Sequence, residues 1–424
     1  MSAIGIDAVQ RPHGMPVAAI SHAVLWLAVF LGGFVFFEPA PYEIFLALVV
    51  PAWLLANPTL PRAIGPLIML MTLFIAGGLL AAIQAKHLDE QPIYYAVTGF
   101  LALSSCFYAA VLATNPRVYR IVVNAWIAAA VVTTALGVIG YFGVAGELFT
   151  KYERAAGGFE DPNVFGPFLV FPFAVLFRRV LTRPLGGALL NGLVALWIFA
   201  GIFLSFSRAA WGLALFAALA TGLILFAGER SALKRARYVA LAVAGLVSLA
   251  VVVVVALSIP AIAELFQQRA QLVQEYDAEH LGRFQRHAIG FNMMLDEPLG
   301  IGAQELGKML GEDEHNIWLK ALTTYGWLGF AAYLTLVVWT FAAAFPLLFR
   351  SGPLQAVAQV AFVVLLGHIV IATVIDIDHW RHVYLLFGVL WGAIAADRIA
   401  AHTRLAQLHN GALPRAQLRL AAIS

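Results

Sequence analysis

The chain is poor in cysteine and in charge. Cys106 is the one cysteine among 424 residues. That excludes a disulfide within the chain and any zinc or iron–sulfur site built from thiolates. Charged residues make up 12% of the sequence, where a soluble domain carries about 25%. Hydrophobic residues make up 62%, and the mean hydropathy is +0.86. Such a chain cannot be a water-soluble globule; its core is lipid-facing helix. The net charge of +3 and pI near 9.0 report topology in a protein of this kind, so no nucleic-acid partner is expected. There is no internal repeat and no soluble domain, so residues 1–424 read as one integral membrane domain.

What is present is a series of long apolar runs. The expected fold class is all-α, a polytopic membrane protein with about twelve transmembrane helices. Twelve runs are long enough to cross roughly 30 Å of hydrocarbon: 17–37, 42–57, 63–84, 92–114, 118–143, 164–182, 187–206, 209–227, 238–263, 316–349, 355–375 and 382–400. The first run is too long, and lacks the small-residue cleavage site, for a removable signal peptide. The tenth is too long for one simple span, so its first turns, up to a break at Tyr325-Gly326, read as a separate interfacial or re-entrant helix.

Charge sets the orientation. With both termini inside, the inner side holds 16 of the 26 lysines and arginines but only three acids, Asp7, Glu229 and Asp397. The outer side holds the remaining basic residues and 20 acids. This is the positive-inside asymmetry. It puts two loops outside: a small one at 144–163, and one of about 50 residues at 264–315 between spans nine and ten. A connection of that length is usually functional. Within it, Ile262, Leu265, Phe266, Leu272, Val273 and Tyr276 recur at helical spacing, as do Phe284, Phe291, Met294 and Leu295. Both sets predict amphipathic helices at the membrane surface.

The residues able to carry chemistry collect on this outer face. Ser205-Phe206-Ser207-Arg208 forms a tight turn between spans seven and eight, and it holds a guanidinium where basic residues are disfavoured. Arg283 and Arg286 stand three apart, near each other on one helix face. Guanidinium groups are flat, permanently charged, two-pronged donors suited to phosphate oxygens, so Arg208 with Arg283 can clamp a diphosphate. Glu312-Asp313-Glu314-His315-Asn316 opens the tenth span. Acids and Asn316 suit a helix start, but His315 is unexplained by capping and is a natural general base near neutral pH.

Asp161-Pro162-Asn163 precedes span six, with Asp161 as N-cap and Pro162 at the first helical position. Pro167 and Pro172 then loosen a helix that can line a cavity, which gives Asp161 and Asn163 a substrate-facing role. Asp376, Asp378, His379 and Arg381 share the last outer turn. His379 and Arg381 are expected to touch the same anionic ligand; the spacing matches no metal motif, so no metal and no cofactor is expected. His22 and His368 lie within spans, and His368 is the deeper. No charged side chain is expected deep in any span. That, with the lack of repeats, disfavours a secondary transporter.

These motifs, in this order and on this face, resemble the O-antigen ligase and O-antigen polymerase superfamily of bacterial inner-membrane proteins. The resemblance rests on Ser207-Arg208, on Gly282-Arg283 with Pro298-Leu299-Gly300-Ile301-Gly302, and on His315-Asn316 with Tyr325-Gly326-Trp327-Leu328-Gly329. It covers mainly residues 190–340. It implies periplasmic-face transfer of a glycan from an undecaprenyl diphosphate carrier to a sugar hydroxyl, of an acceptor glycan or of lipid A–core. The reaction it implies is metal-independent and inverting. Arg208 and Arg283 would bind the diphosphate, and His315 would activate or position the acceptor. Arg286, Asp161, Asn163, Asn316, His379 and Arg381 would contact substrate. Where the family commonly has a tryptophan after the second arginine, His287 stands here, which leaves Arg286 as the alternative second phosphate ligand. The segments around Phe159–Pro167 and Asp376–Arg381 look more like the polymerase-type members. Transfer to a protein acceptor is the alternative within the superfamily.

Overall fold

The computed structural model describes residues 15–57, 59–144, 148–269 and 283–409. Fifteen α-helices account for most of it. They are α1 (Met15–Leu31), α2 (Pro41–Ala56), α3 (Gly65–Ala82), α4 (Gln91–Thr114), α5 (Tyr119–Tyr141), α6 (Pro162–Thr182), α7 (Leu185–Leu204) and α8 (Arg208–Gly228), followed by α9 (Ala232–Leu257), α10 (Pro260–Arg269), α11 (Arg283–Asp296), α12 (Glu305–Leu310), α13 (Ile317–Ala344), α14 (Gln355–Ile371) and α15 (Arg381–His409). Among the described residues, nine helices are long and apolar enough to cross a membrane; α1, α2 and α14 are shorter apolar helices. The protein is an all-α, multi-pass membrane protein.

Local chemistry sets the helix ends. Asp161, Ser207, Ser231 and Asn316 each accept a backbone N–H as N-cap, satisfying donors that have no intrahelical partner. Proline opens α2 and α6, where its missing N–H costs nothing. Pro167 and Pro172 lie inside α6, which runs as one largely buried helix. The first span is shorter than its apolar run suggests. The helix stops at Leu31, and Val35 instead pairs with Phe159, its N–H donating to the Gly158 carbonyl at 2.5 Å. Gly32 and Gly33, poor helix formers, give way there to a contact with the small loop that precedes α6. That loop is a hairpin of two short strands, Thr150–Lys151 and Arg154–Ala155.

α15, α6 and α4 form the buried centre, whereas α9 has no buried residue and lies at the rim. α15 meets α4 through Gly388 and Gly392, one turn apart. A Cβ at Gly388 would sit 2.8 Å from the Ser105 carbonyl, and one at Gly392 2.7 Å from Leu112 Cβ. Without a hydrophobic drive between helices in lipid, such close backbone contact through small residues is what holds them. α10 packs inward through Ile262 and Leu265, and Phe266 stacks on Trp211. α11 buries Met294 and leaves Phe291 and Leu295 exposed, as suits a helix that also meets lipid. The continuation of the first amphipathic pattern, at Leu272, Val273 and Tyr276, lies outside the described residues.

Candidate functional site at the loop end

The end of the bundle bearing the long loop is organised by a break in α13. Gly326 sits at φ 64°, ψ −177° in the middle of the helix. A side chain there would come within 2.5 Å of the Leu299 carbonyl. The break releases backbone groups that must find partners in a dry setting. The Thr323 carbonyl accepts from Ile301 N–H at 2.8 Å and Gly302 N–H at 3.2 Å, and Trp327 N–H donates to the Pro298 carbonyl at 3.0 Å. The Tyr95 hydroxyl donates to the Thr324 carbonyl at 2.7 Å. The Pro298–Gly302 and Tyr325–Gly329 motifs are therefore two halves of one joint. It is pinned sideways by Gln91, whose amide bonds both the N–H and the carbonyl of Ala303. Glu305 on α12 accepts from His87 N–H at 2.7 Å, and Lys308 pairs with Glu90 at 2.6 Å. Burial works against the Glu305 charge, but the His87 contacts outweigh it and hold the carboxyl below its usual range.

His315 stands at the start of this broken helix. It takes a left-handed backbone, φ 46°. The next residue, Asn316, caps α13 by accepting from Trp318 and Leu319 N–H, and Ile317 N–H donates to the Ala372 carbonyl at 2.8 Å. The histidine Nε2 lies 3.3 Å from one oxygen of Glu312, whose other oxygen accepts from Arg286. Glu312 thus joins a guanidinium to an imidazole. A proton on Nε2 would face Glu312 and leave Nδ1 as the acceptor nitrogen. His287 has its own structural use: its Nε2 bonds the Glu314 carbonyl at 2.6 Å and so fixes the turn ahead of His315. Arg283 opens α11 three residues before Arg286.

Arg208 begins α8, partly buried, after a turn in which Phe206 has φ 46° and Ser207 caps the helix. The turn is locked by Arg154, an arginine that the sequence reading passed over. Its buried Nε donates to the Ser205 carbonyl at 2.7 Å, and its Nη2 donates to Asn163 Oδ1 at 2.7 Å. Asn163 N–H in turn donates to Asp161 Oδ1. Asp161 and Asn163 therefore belong to the frame that carries Arg208. Arg154 could have been flagged by the criterion that singled out Arg208, a basic residue on the disfavoured face.

A third cluster was not expected. Lys320, one turn into α13, is buried, with Nζ 2.6 Å from Asp376 and 3.8 Å from Asp378. It is a buried charge at the start of a span, not one deep within it. Tyr94 donates to Asp378, and its ring lies 4.4 Å from that of His379. His379 Nε2 is 2.9 Å from Thr98 Oγ1, which also meets the Tyr325 hydroxyl. Burial pushes the Asp376 carboxyl up to about 7 against the pull of Lys320. Burial also opposes the Asp378 charge, yet Lys320 and His379 hold that carboxyl below its usual range. Burial lowers the His379 imidazole in spite of Asp378 beside it. Glu314 is buried too, accepting from Thr323 Oγ1 at 2.5 Å, and its second oxygen has no partner among the described residues.

His379 and Arg381 hydrogen-bond to different groups. Arg381 turns to Glu43 on α2 and to Glu38, 3.0 Å away, while His379 turns to α4. His368 pairs within the bundle with His382, 3.2 Å between ring nitrogens, and bonds its own Val364 carbonyl.

In this membrane protein Arg286, Glu312 and His315 are linked at the start of a broken helix, and Arg208 opens α8 on a turn held by Arg154. Residues 193–334 match the family model described as O-antigen ligase, which supports a place in the O-antigen ligase and polymerase superfamily and a part in glycan transfer during polysaccharide assembly. The match runs from α7 into α13. It contains Arg208, Arg283, Arg286, His315 and the Gly326 break, and leaves out Arg154, Asn163 and the Asp376–Arg381 turn. No curated protein matches the chain.

Proposed function

We propose that the protein transfers a glycan from undecaprenyl diphosphate to a sugar hydroxyl at the periplasmic face of the bacterial inner membrane, with both termini cytoplasmic. The observation that carries this reading is the Arg286–Glu312–His315 link at the mouth of α13, inside the matched region. Arg208 and Arg283 bind the diphosphate, and Arg286 supports the second position. His315 Nδ1 takes the proton as the acceptor O–H bond breaks. The acceptor oxygen attacks the anomeric carbon from the face opposite the carrier. The bond from that carbon to the phosphate oxygen breaks, and its electron pair leaves on the diphosphate. Fixed guanidinium groups stabilise that developing charge, and inversion follows from the opposed faces. Asn163, Asp161 and Asn316 act on substrate through the backbone turns they set.

Within the superfamily we read the protein as a polymerase, from the character of the Phe159–Pro167 and Asp376–Arg381 segments. The test is transfer in liposomes, with chelator present, from undecaprenyl diphosphate-linked repeats. A glycan ladder formed without lipid A–core supports a polymerase acting without metal. A product that forms only when lipid A–core is added makes the protein a ligase.

A further inference from the structure

The half of the bundle away from the loop end holds a groove that glycan transfer does not use. α6, α7 and α9 diverge there around a cavity of about 290 Å³ lined by Phe177, Val180, Leu189, Leu193 and Leu241, with Ser248 its one hydroxyl. It spans the last two turns of α6 and the first three of α7, so it runs from the end of the bundle toward its middle. At that end it meets basic side chains. Arg179 and Arg183 close α6, near enough to repel one another. The stem of Arg183 lies over Gly187, and its carbonyl accepts from the Arg237 guanidinium. Arg230, Lys234 and Arg235 follow on the turn into α9. The one acid among them, Glu229, is taken up by Lys234 at 3.2 Å.

An apolar slot with Arg183 and Arg237 at its end, and further cations on the flanking turns, suits a ligand with a hydrocarbon tail and an anionic head. A free anion would leave the slot unused, and a zwitterionic lipid would bring no net charge to the arginines. Guanidinium forks bond phosphate oxygens in pairs, and basic pockets between membrane helices are where acidic headgroups bind. α9, which has no buried residue, would gain the contact that the protein does not give it. We propose that an anionic phospholipid occupies this groove, an acyl chain between α7 and α9 and its phosphate on Arg183 and Arg237. The site is independent of the transfer reaction.

The test is native mass spectrometry and thermal unfolding of the full chain in neutral detergent. Phosphatidylglycerol, phosphatidylcholine or inorganic phosphate is added. Phosphatidylglycerol should be retained in preference to phosphatidylcholine and should raise the unfolding temperature. At about fivefold per basic residue near the headgroups, the double variant Arg183→Gln, Arg237→Gln should lose roughly 25-fold of that preference. Gly192→Leu keeps every charge and fills the slot, since the nearest atom to a Cβ there is 3.8 Å away on Val180. It should release the lipid while the protein stays folded. Equal retention of both lipids overturns the proposal, as does a preference that survives in Gly192→Leu. Stabilisation by inorganic phosphate equal to that by the lipid also overturns it, by making this a simple anion site.

Discussion

Replacing Lys320 by methionine tests whether the buried ammonium holds the loop end together. The stem volume is nearly conserved, so packing is little changed and the loss is electrostatic. In the wild-type protein Nζ lies 2.6 Å from Asp376 and 3.8 Å from Asp378, with side-chain exposures of 5%, 19% and 6% for the three residues. Removing one member of a buried pair leaves an uncompensated charge and costs about 3–5 kcal/mol. The turn from Ala372 to Arg381 should then detach from α13 and α4. Unfolding of detergent-solubilised protein, followed by tryptophan fluorescence, should show a lower midpoint at pH 7.5.

The pH dependence has a definite sign. In the variant both carboxyls are buried without a cation, so their folded pKa values rise above the unfolded value of about 3.9. A carboxyl with a raised folded pKa contributes most below the unfolded value and loses that contribution as pH rises through the folded one. The defect should therefore shrink on acidification toward pH 5. Wild type already has this trend from Asp376, raised to about 7, opposed by Asp378, whose lowered pKa costs stability only in stronger acid. The double variant Lys320→Met, Asp376→Asn should recover part of the loss at pH 7.5. A single variant as stable as wild type at pH 7.5 would refute this reading of the cluster.

Glu312→Gln should cut transfer on the order of 10²-fold, with an altered pH–rate profile, because it uncouples His315 from Arg286 while leaving the fold intact; an unchanged profile would mean Glu312 does not orient the histidine. Arg154→Ala should lower stability by about 1.5–3 kcal/mol and expose the 148–161 hairpin to protease, and Arg154→Lys should not restore it, since one ammonium cannot reach both Ser205 and Asn163 in the same fork geometry. Gly326→Ala forces a side chain to φ 64° and into the Leu299 carbonyl; a loss of at least about 1–3 kcal/mol is expected, read as a lower unfolding midpoint.

Much of the fold was legible because the signals are local. Hydropathy over about 20 residues marks a span, Asp161 and Asn316 announce their own helix starts, and Tyr325-Gly326 marks the break in α13. The position of His315 was legible for the same reason, since it follows directly from the helix start. What was missed depends on distant partners. Tyr94 and Asp378 are 284 residues apart, and Arg381 and Glu38 343 apart. Arg381 and His379 are near in sequence, but a helix start sends their side chains to different neighbours. Lys320 carries no sign of its role in the sequence, because nothing local says that two aspartates arrive beside it. The early end of α1 was missed because a continuous apolar run carries no sign that Val35 will pair with another loop.

The most direct test of the proposed transfer is Arg208→Ala in the liposome assay, with Arg283→Ala and His315→Ala beside it. Each variant is first verified as inserted and folded by its unfolding midpoint. The diphosphate-clamp account predicts that Arg208→Ala loses at least about 10²–10³-fold in turnover, with no glycan product on the gel. Near-wild-type product from a folded Arg208→Ala protein would contradict it.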